Sequence, residues 1–442
     1  MLLNDSDRKI FTIAFPLIFS NLTIPLVGLV DNAVLGNLDS PIYLASVGLG
    51  AIIMSYVLFS FGFLKSVTTG YTSQQDSKNN YKDMIINLYQ IFLISMLISL
   101  ILLIFKSHII NFSISLLGNN SDVDLNTYLY LDIRFWSIPA IFLRDIYIGY
   151  LIGVKKTSHA MWIIISINLL NIILDYVFVY VFDMKVEGVA YASLIAEMSI
   201  ILFVIYHIIN SPKFLSKDYL TGTLENLSNL KSKIIVNGNM FIRSVILMTC
   251  FIHFMSLSAY HGEIVLAANT ILLNFFFIFS YSIDAFAHAT EVITGNSVGK
   301  RDIDLYDRTI KSSFKFTFIL LFIFFLIFIF LSNIIISLIT SHESVILVSE
   351  TNILYLLIIV FFGSIAFCID GIMIGALQHI RMRDVMIISG LVYLIIHLSI
   401  STTNHEYIWY PFALFFISRS FLLYMSLSSV RRALFGSKCY IR

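Results

Sequence analysis

Asp31 is a carboxylate inside the run from Ile10 to Gly36, which is otherwise apolar enough to cross a membrane, and Pro16 and Pro25 break the same run. An acid at bilayer depth costs about 2.5 to 3.5 kcal/mol on the lenient insertion scale, so a retained one points to ion or proton chemistry. The bland alternative is an acid that snorkels to water at the outer helix end. Each proline removes a backbone donor and permits bending, which places the acid on a deformable helix and favours the functional reading. Farther along, Asn168, Asn171 and Asp175 stand at offsets of three and seven, which puts them on one helical face. Such a stripe either packs on another helix through hydrogen bonds or supplies hard oxygen ligands to a small cation. Ser193 offers one more oxygen, although a hydroxyl in a membrane helix commonly bonds its own backbone.

A second face carries Tyr281, Asp284, His288 and Glu291 at offsets zero, three, seven and ten. It could serve as a proton relay or cation site, with Glu291 near enough to a loop to be solvated. Asp370 is a third deep acid. Arg144 adjoins Asp145 and could pair with it, whereas Lys65, Arg134, Arg243 and Arg419 lie toward span ends, where snorkelling is expected. His253 and His397 read as packing residues. Cys250, Cys368 and Cys439 lack metal-ligand spacing, so no cofactor is expected.

These residues must be positioned by membrane helices. The 442 residues are 58% hydrophobic and only 12% charged, outside the range of soluble chains. Apolar runs of about 20 residues suit helices across a core roughly 30 Å thick, whereas barrel strands would be shorter and alternating. Twelve spans are expected, near 10–36, 43–73, 83–105, 127–154, 158–182, 187–209, 233–260, 265–298, 309–339, 345–378, 384–401 and 406–430. The N-terminus reads as a retained first helix rather than a cleaved signal. Basic residues gather in alternate loops, among them Lys155 and Lys156, Lys300 and Arg301, and Arg431 and Arg432, while Lys106 and Lys185 are all the opposite loops hold. By the positive-inside rule both termini are cytoplasmic, which suits a multi-pass protein of the inner membrane. A net charge of +1 suggests no nucleic-acid partner, and the basic loops are simple anchors for anionic lipid.

The polar stretch from Asn210 divides the chain into an N-terminal six-helix lobe, 1–209, an inter-lobe loop, 210–232, and a C-terminal six-helix lobe, 233–442. A slide of about 222 residues lays Leu44, Ala45 and Thr72 on Leu266, Ala267 and Thr294. RDIYIGYL from Arg144 also lies on DGIMIGAL from Asp370, which matches Ile148, Gly149 and Leu151 to Ile374, Gly375 and Leu377. The fold class is therefore all-α integral membrane, with twelve transmembrane helices in two pseudo-symmetric lobes, a transporter design. No Walker loop or HExxH motif is present, so an ion gradient is the expected energy source.

Several stretches together resemble the multidrug and toxic compound extrusion (MATE) transporters, in their DinF-like branch. They are Pro16 and Pro25 with PLVGLVDNAVLG, FGFLKSVTTGYTSQ, IGYLIG, NLLNIILDYVFV, EGVAYASLIAE and DAFAHATEVITGNSVGKRD, which together touch both lobes. The resemblance implies a cation site in the N-terminal lobe made by Asp31, Asn171, Asp175 and Ser193, able to take H⁺ or Na⁺, with Pro16 as the bending proline. The hydroxyl is often threonine in such transporters; serine keeps the oxygen. The sister branch has an acid in span seven, but Ile234 to Tyr260 holds none, so coupling in the C-terminal lobe is less expected, with Asn168, Asp284, Glu291 and Asp370 as secondary candidates. The implied function is a monomeric, cation-coupled antiporter, not an enzyme, that exports small amphipathic, often cationic organic compounds. The runner-up is a flippase for a lipid-linked precursor. A membrane enzyme would need a compact histidine and acid cluster, and a passive channel suits two repeated lobes less well.

Overall fold

A computed structural model describes residues 4–36, 38, 40–117, 121–211, 214, 227–400 and 405–436. Most of the expected inter-lobe loop lies outside the described residues, as do Lys213, Lys217, Lys438, Cys439 and Arg442. Among the described residues twelve helices are long and apolar enough to cross a membrane. They are Asp5–Gly36, Pro41–Ser77, Tyr81–Ile104, Asp122–Gly153, Thr157–Val181 and Lys185–Asn210, then Lys231–Tyr260, Glu263–Lys300, Ile303–Ser337, Glu343–Gly375, His379–Ser399 and Trp409–Phe435. They are numbered below as spans one to twelve. The chain is thus an all-α multi-pass membrane protein. Span nine shows why helices are required here: Phe318, Phe322 and Phe330 are all exposed on an apolar surface, where lipid offers no hydrogen bonds and the backbone must satisfy itself.

The helices form two compact units, residues 19–237 and residues 1–18 with 238–442. The first helix opens with a reciprocal cap in which Asp7 N donates to Asn4 Oδ1 at 2.7 Å and Asn4 N to Asp7 Oδ2 at 3.2 Å. Lys315 Nζ pairs with the same carboxylate at 2.6 Å. Helical backbone then runs unbroken through Pro16 and Pro25 to Gly36.

Three local departures from α-helix position the polar residues. Span two breaks at Gly62, whose N–H turns to Phe59 O at 3.2 Å. Span four tightens to 3₁₀ over Phe135–Ser137 ahead of Pro139, which needs no donor in the first turn of the next segment. Arg134 therefore ends the segment Ser121–Arg134 instead of continuing a straight helix. Span five widens to a π-helix over Val177–Val181, directly after Asp175, with Phe182 N reaching back to Val177 O at 3.1 Å.

The core of the C-terminal unit is aromatic. Phe254 stacks on Phe412 with ring centroids 4.6 Å apart, and the buried Trp409 Nε1 donates to Asn269 Oδ1 at 3.2 Å, so its one polar atom is satisfied.

Glycine contacts fix the register of the repeat. A Cβ on Gly149 would strike the carbonyl oxygen of Lys65, and one on Gly371 would strike that of Ala287. Likewise Gly153 abuts Thr72 and the Thr69 carbonyl, while Gly375 abuts Thr294 and the Glu291 carbonyl. Both comparisons give one offset of 222 residues, 149 to 371 and 153 to 375. Lys155 and Leu377, each left-handed at φ 62 and 56, and the helix starts at Thr157 and His379 keep the same offset. The alignment of Thr72 on Thr294 agrees with it. The alignment of Arg144 on Asp370 is corrected by one helical turn: Asp370 corresponds to Ile148, and Arg144 to Ala366. Four residues nearly complete a turn, so apolar patterns match almost equally well in both registers.

Candidate cation site

Spans one, four, five and six of the N-terminal unit bring four polar side chains together with a basic one. The helical face expected in span five is intact: Asn171 is 4% exposed and Asp175 fully buried, and Asn171 Nδ2 donates to Ser193 Oγ on span six at 3.2 Å. Asn168, one turn earlier, donates to Thr23 Oγ1 on span one at 2.6 Å, and Tyr180 Oη in the π-turn donates to Val34 O at 3.0 Å. These two bonds bracket Asp31 and hold span one against span five.

The carboxyl groups of Asp31 and Asp175 face each other within hydrogen-bonding reach. Asp31 Oδ1, both Asp175 oxygens and Asn171 Oδ1 receive no hydrogen bond from any described donor. Two like charges about 4 Å apart repel by about 4 kcal/mol at an effective dielectric constant of 20. A proton shared between the oxygens, or a small cation among them, removes that repulsion. The donor set of two carboxylates, an amide and a hydroxyl is all oxygen, as hard monovalent cations require. Among the described residues no cluster of three or more His, Cys, Asp and Glu is placed to hold a metal.

Arg134 is the member that sequence reasoning missed. It does not snorkel: its guanidinium acts electrostatically on both Asp31 and Asp175, bonds the Tyr130 phenol, and donates from Nη1 to Ser137 Oγ at 3.1 Å. Its single charge offsets one of the two carboxylates. One further positive charge then neutralises the cluster.

Beside these residues lies a cavity of about 270 Å³ within the same unit. Its lining includes Asn171 and Ser193 together with Lys65, Arg134, Arg144 and Glu197. Arg144 forms the expected pair with Asp145, at 3.1 Å, and a second with Glu197. The Glu197 partner, on span six, was not legible from span four.

The secondary candidates have other partners. Asn168 is engaged by Thr23, as above. Asp370 is clamped by Arg243, Nη2 to Oδ2 at 2.6 Å, and by the buried Arg419, so these two arginines turn inward instead of snorkelling. Asp284 is half-buried and within electrostatic range of Arg419. Glu291 is only 1% exposed, which corrects the expectation of a solvated acid, and its Oε2 lies 3.1 Å from His288 Nδ1. It sits where small residues let spans eight and ten close together, beneath Gly375.

Comparison with known proteins follows the same two halves. The MatE family model matches residues 16–177 and 240–403. The chain is 28% identical to DNA damage-inducible protein F of Escherichia coli (strain K12) over 95% of its own length and 92% of that protein's. It is 23% identical to the probable multidrug resistance protein NorM of Photorhabdus laumondii, covering 83% of this chain and 82% of that protein. Among solved structures, the outward-facing conformation of a multidrug resistance MATE family transporter of the MOP superfamily superposes with a TM-score of 0.83 at 16% identity, covering 98% of this chain and 97% of the other.

Proposed function

The chain belongs to the MatE family of multidrug and toxin extrusion transporters, and from that premise we propose that it is a cation-coupled antiporter of the inner membrane. It exports amphipathic organic compounds, cationic ones among them, in exchange for H⁺ or Na⁺, by alternating access and with both termini cytoplasmic. The observation that carries the reading is the pair of half-buried Asp31 and fully buried Asp175 between spans one and five, with no described donor to Asp31 Oδ1 or to either Asp175 oxygen. In this reading the coupling ion supplies the one positive charge the cluster lacks. Asp31 and Asp175 hold it, Asn171 Oδ1 and Ser193 Oγ complete the oxygen set, and Arg134 limits the uptake to a single charge. Span one carries Asp31 between the Thr23 and Val34 tethers, so a change in the repulsion between the acids acts on the helix that packs against span five. The cavity beside Asn171 and Ser193 receives the cargo.

The test is dye export in energised everted vesicles. Asp31→Asn is expected to lose at least tenfold in gradient-driven transport; export at the wild-type rate would remove Asp31 from coupling.

One observation favours a second reading. The cavity lining carries Lys65, Arg134 and Arg144 against Asp145 and Glu197, and both acids are paired to Arg144. That balance also suits a flippase for a lipid-linked precursor with an anionic head. Scrambling of a fluorescent pyrophosphate-linked lipid in protein-containing liposomes, with no response to organic dyes, is what this alternative requires.

A further inference from the structure

The same offset of 222 residues that relates the glycine contacts of the two lobes sends Asp31 to His253, Asn171 to Tyr393 and Asp175 to His397. Side-chain packing inside the C-terminal unit follows that correspondence. The rings of His253 and His397 meet edge to face with centroids 4.5 Å apart, as the carboxyl groups of Asp31 and Asp175 meet in the other unit. His253 Nδ1 lies 2.7 Å from the hydroxyl of Tyr393, at the place where Asn171 stands beside the acid pair. A register fixed by glycines of spans four and ten against spans two and eight thus carries over, without adjustment, to spans one, five, seven and eleven. Three polar side chains map onto three.

We infer that His253 and His397, with Tyr393, form a second proton-binding site in the C-terminal lobe, built from imidazoles at the position where the N-terminal lobe has its carboxylates. Imidazole is the side chain whose unperturbed titration falls between pH 5 and 8, so ordinary pH changes load and unload it. Two half-buried rings this close share one proton more readily than they hold two, because like charges in contact oppose each other. Among the described residues the titratable group acting on His253 is His397; Cys250 adjoins Tyr393 and is itself in range of Arg419. Span seven has no acid; its His253 stands where span one carries Asp31. The chemistry also differs from the first site. A neutral imidazole pair offers no hard oxygen cage for Na⁺, so this site takes a proton whichever ion the N-terminal site prefers. The site rests on the transport reading only for its use in the cycle; its titration stands by itself.

The test is ring-labelled histidine NMR on the full chain in phosphatidylcholine nanodiscs, with the two resonances assigned from their loss in His253→Gln and His397→Gln. The inference expects the His253 ring to change protonation between about pH 5 and pH 8. It also expects the midpoint of His253 to be displaced by His397→Gln and by Tyr393→Phe, which keeps the ring in place and deletes only the hydroxyl. A His253 ring that keeps one protonation form across that range, or a midpoint indifferent to both substitutions, would overturn it. The readout uses neither gradient nor cargo, so its failure is distinct from failure of the coupling role of Asp31.

Discussion

At the scale of single residues, the role of each embedded charge depends on its partners. Asp31 and Asp175 face each other, whereas Asp370 is held by two arginines. These environments predict different failures. Asp370→Asn leaves the half-buried Arg243 and the buried Arg419 without their counter-charge, and breaking a buried pair from one side costs about 3 to 5 kcal/mol. A marked fall in the thermal unfolding temperature of the purified variant checks this; unchanged stability would show that the clamp is not structural. Ser193→Ala removes the acceptor of the Asn171 amide, a bond worth about 1 kcal/mol, so the ion concentration for half-maximal transport should rise about fivefold while Ser193→Thr, which keeps the oxygen, stays near wild type. Equal values for the two variants would take Ser193 out of the site. The acids and amides were legible because a period of 3.6 puts Asn168, Asn171 and Asp175 on one face. Arg134, Arg243 and Arg419 were not, because a base near a span end has the same sequence signature whether it snorkels or turns inward, and the partners of Asp370 stand far away along the chain. The pairing of His253 with His397 was hidden for the same reason.

At the scale of elements, small residues set how closely helices approach and local breaks set where side chains point. Gly149 and Gly371 meet the carbonyls of Lys65 and Ala287 at equivalent places in the two lobes, with no room for a Cβ. Gly149→Val should therefore destabilise the protein by about 1 to 3 kcal/mol through overpacking, whereas Gly28→Ala, at a position with nothing within 4 Å, should be close to neutral. Thermal unfolding of both in the same detergent checks the contrast, and equal effects would mean that the crossing is not tight. Helix number and approximate ends followed from apolar run length, because lipid imposes one thickness on every span. The π-turn after Asp175 and the 3₁₀ turn before Pro139 carried no comparable signal. Each depends on how one helix meets its neighbours, and their residues, Val177–Val181 and Phe135–Ser137, read as ordinary apolar helix. The repeat register was ambiguous by one turn until backbone contacts fixed it.

At the scale of the whole molecule, two six-helix lobes repeat one packing scheme with different chemistry in each: oxygens and a guanidinium in the first, imidazoles and a phenol at the matching places in the second. The membrane location was legible from composition, the general fold from apolar run lengths and the internal repeat, and the family from motifs spread over both halves. The division of labour between the lobes needed side-chain partners that lie far apart in the chain. The central claim is that the Asp31 and Asp175 pair couples ion entry to cargo export. Its most direct measurement is transport by the purified protein in proteoliposomes, with pH and Na⁺ gradients imposed separately on wild type, Asp31→Asn and Asp175→Asn. Wild type should concentrate cargo against its gradient under at least one of the two, and each asparagine variant should lose that concentration while still equilibrating cargo downhill. Concentrative transport at the wild-type level by both variants would contradict the account.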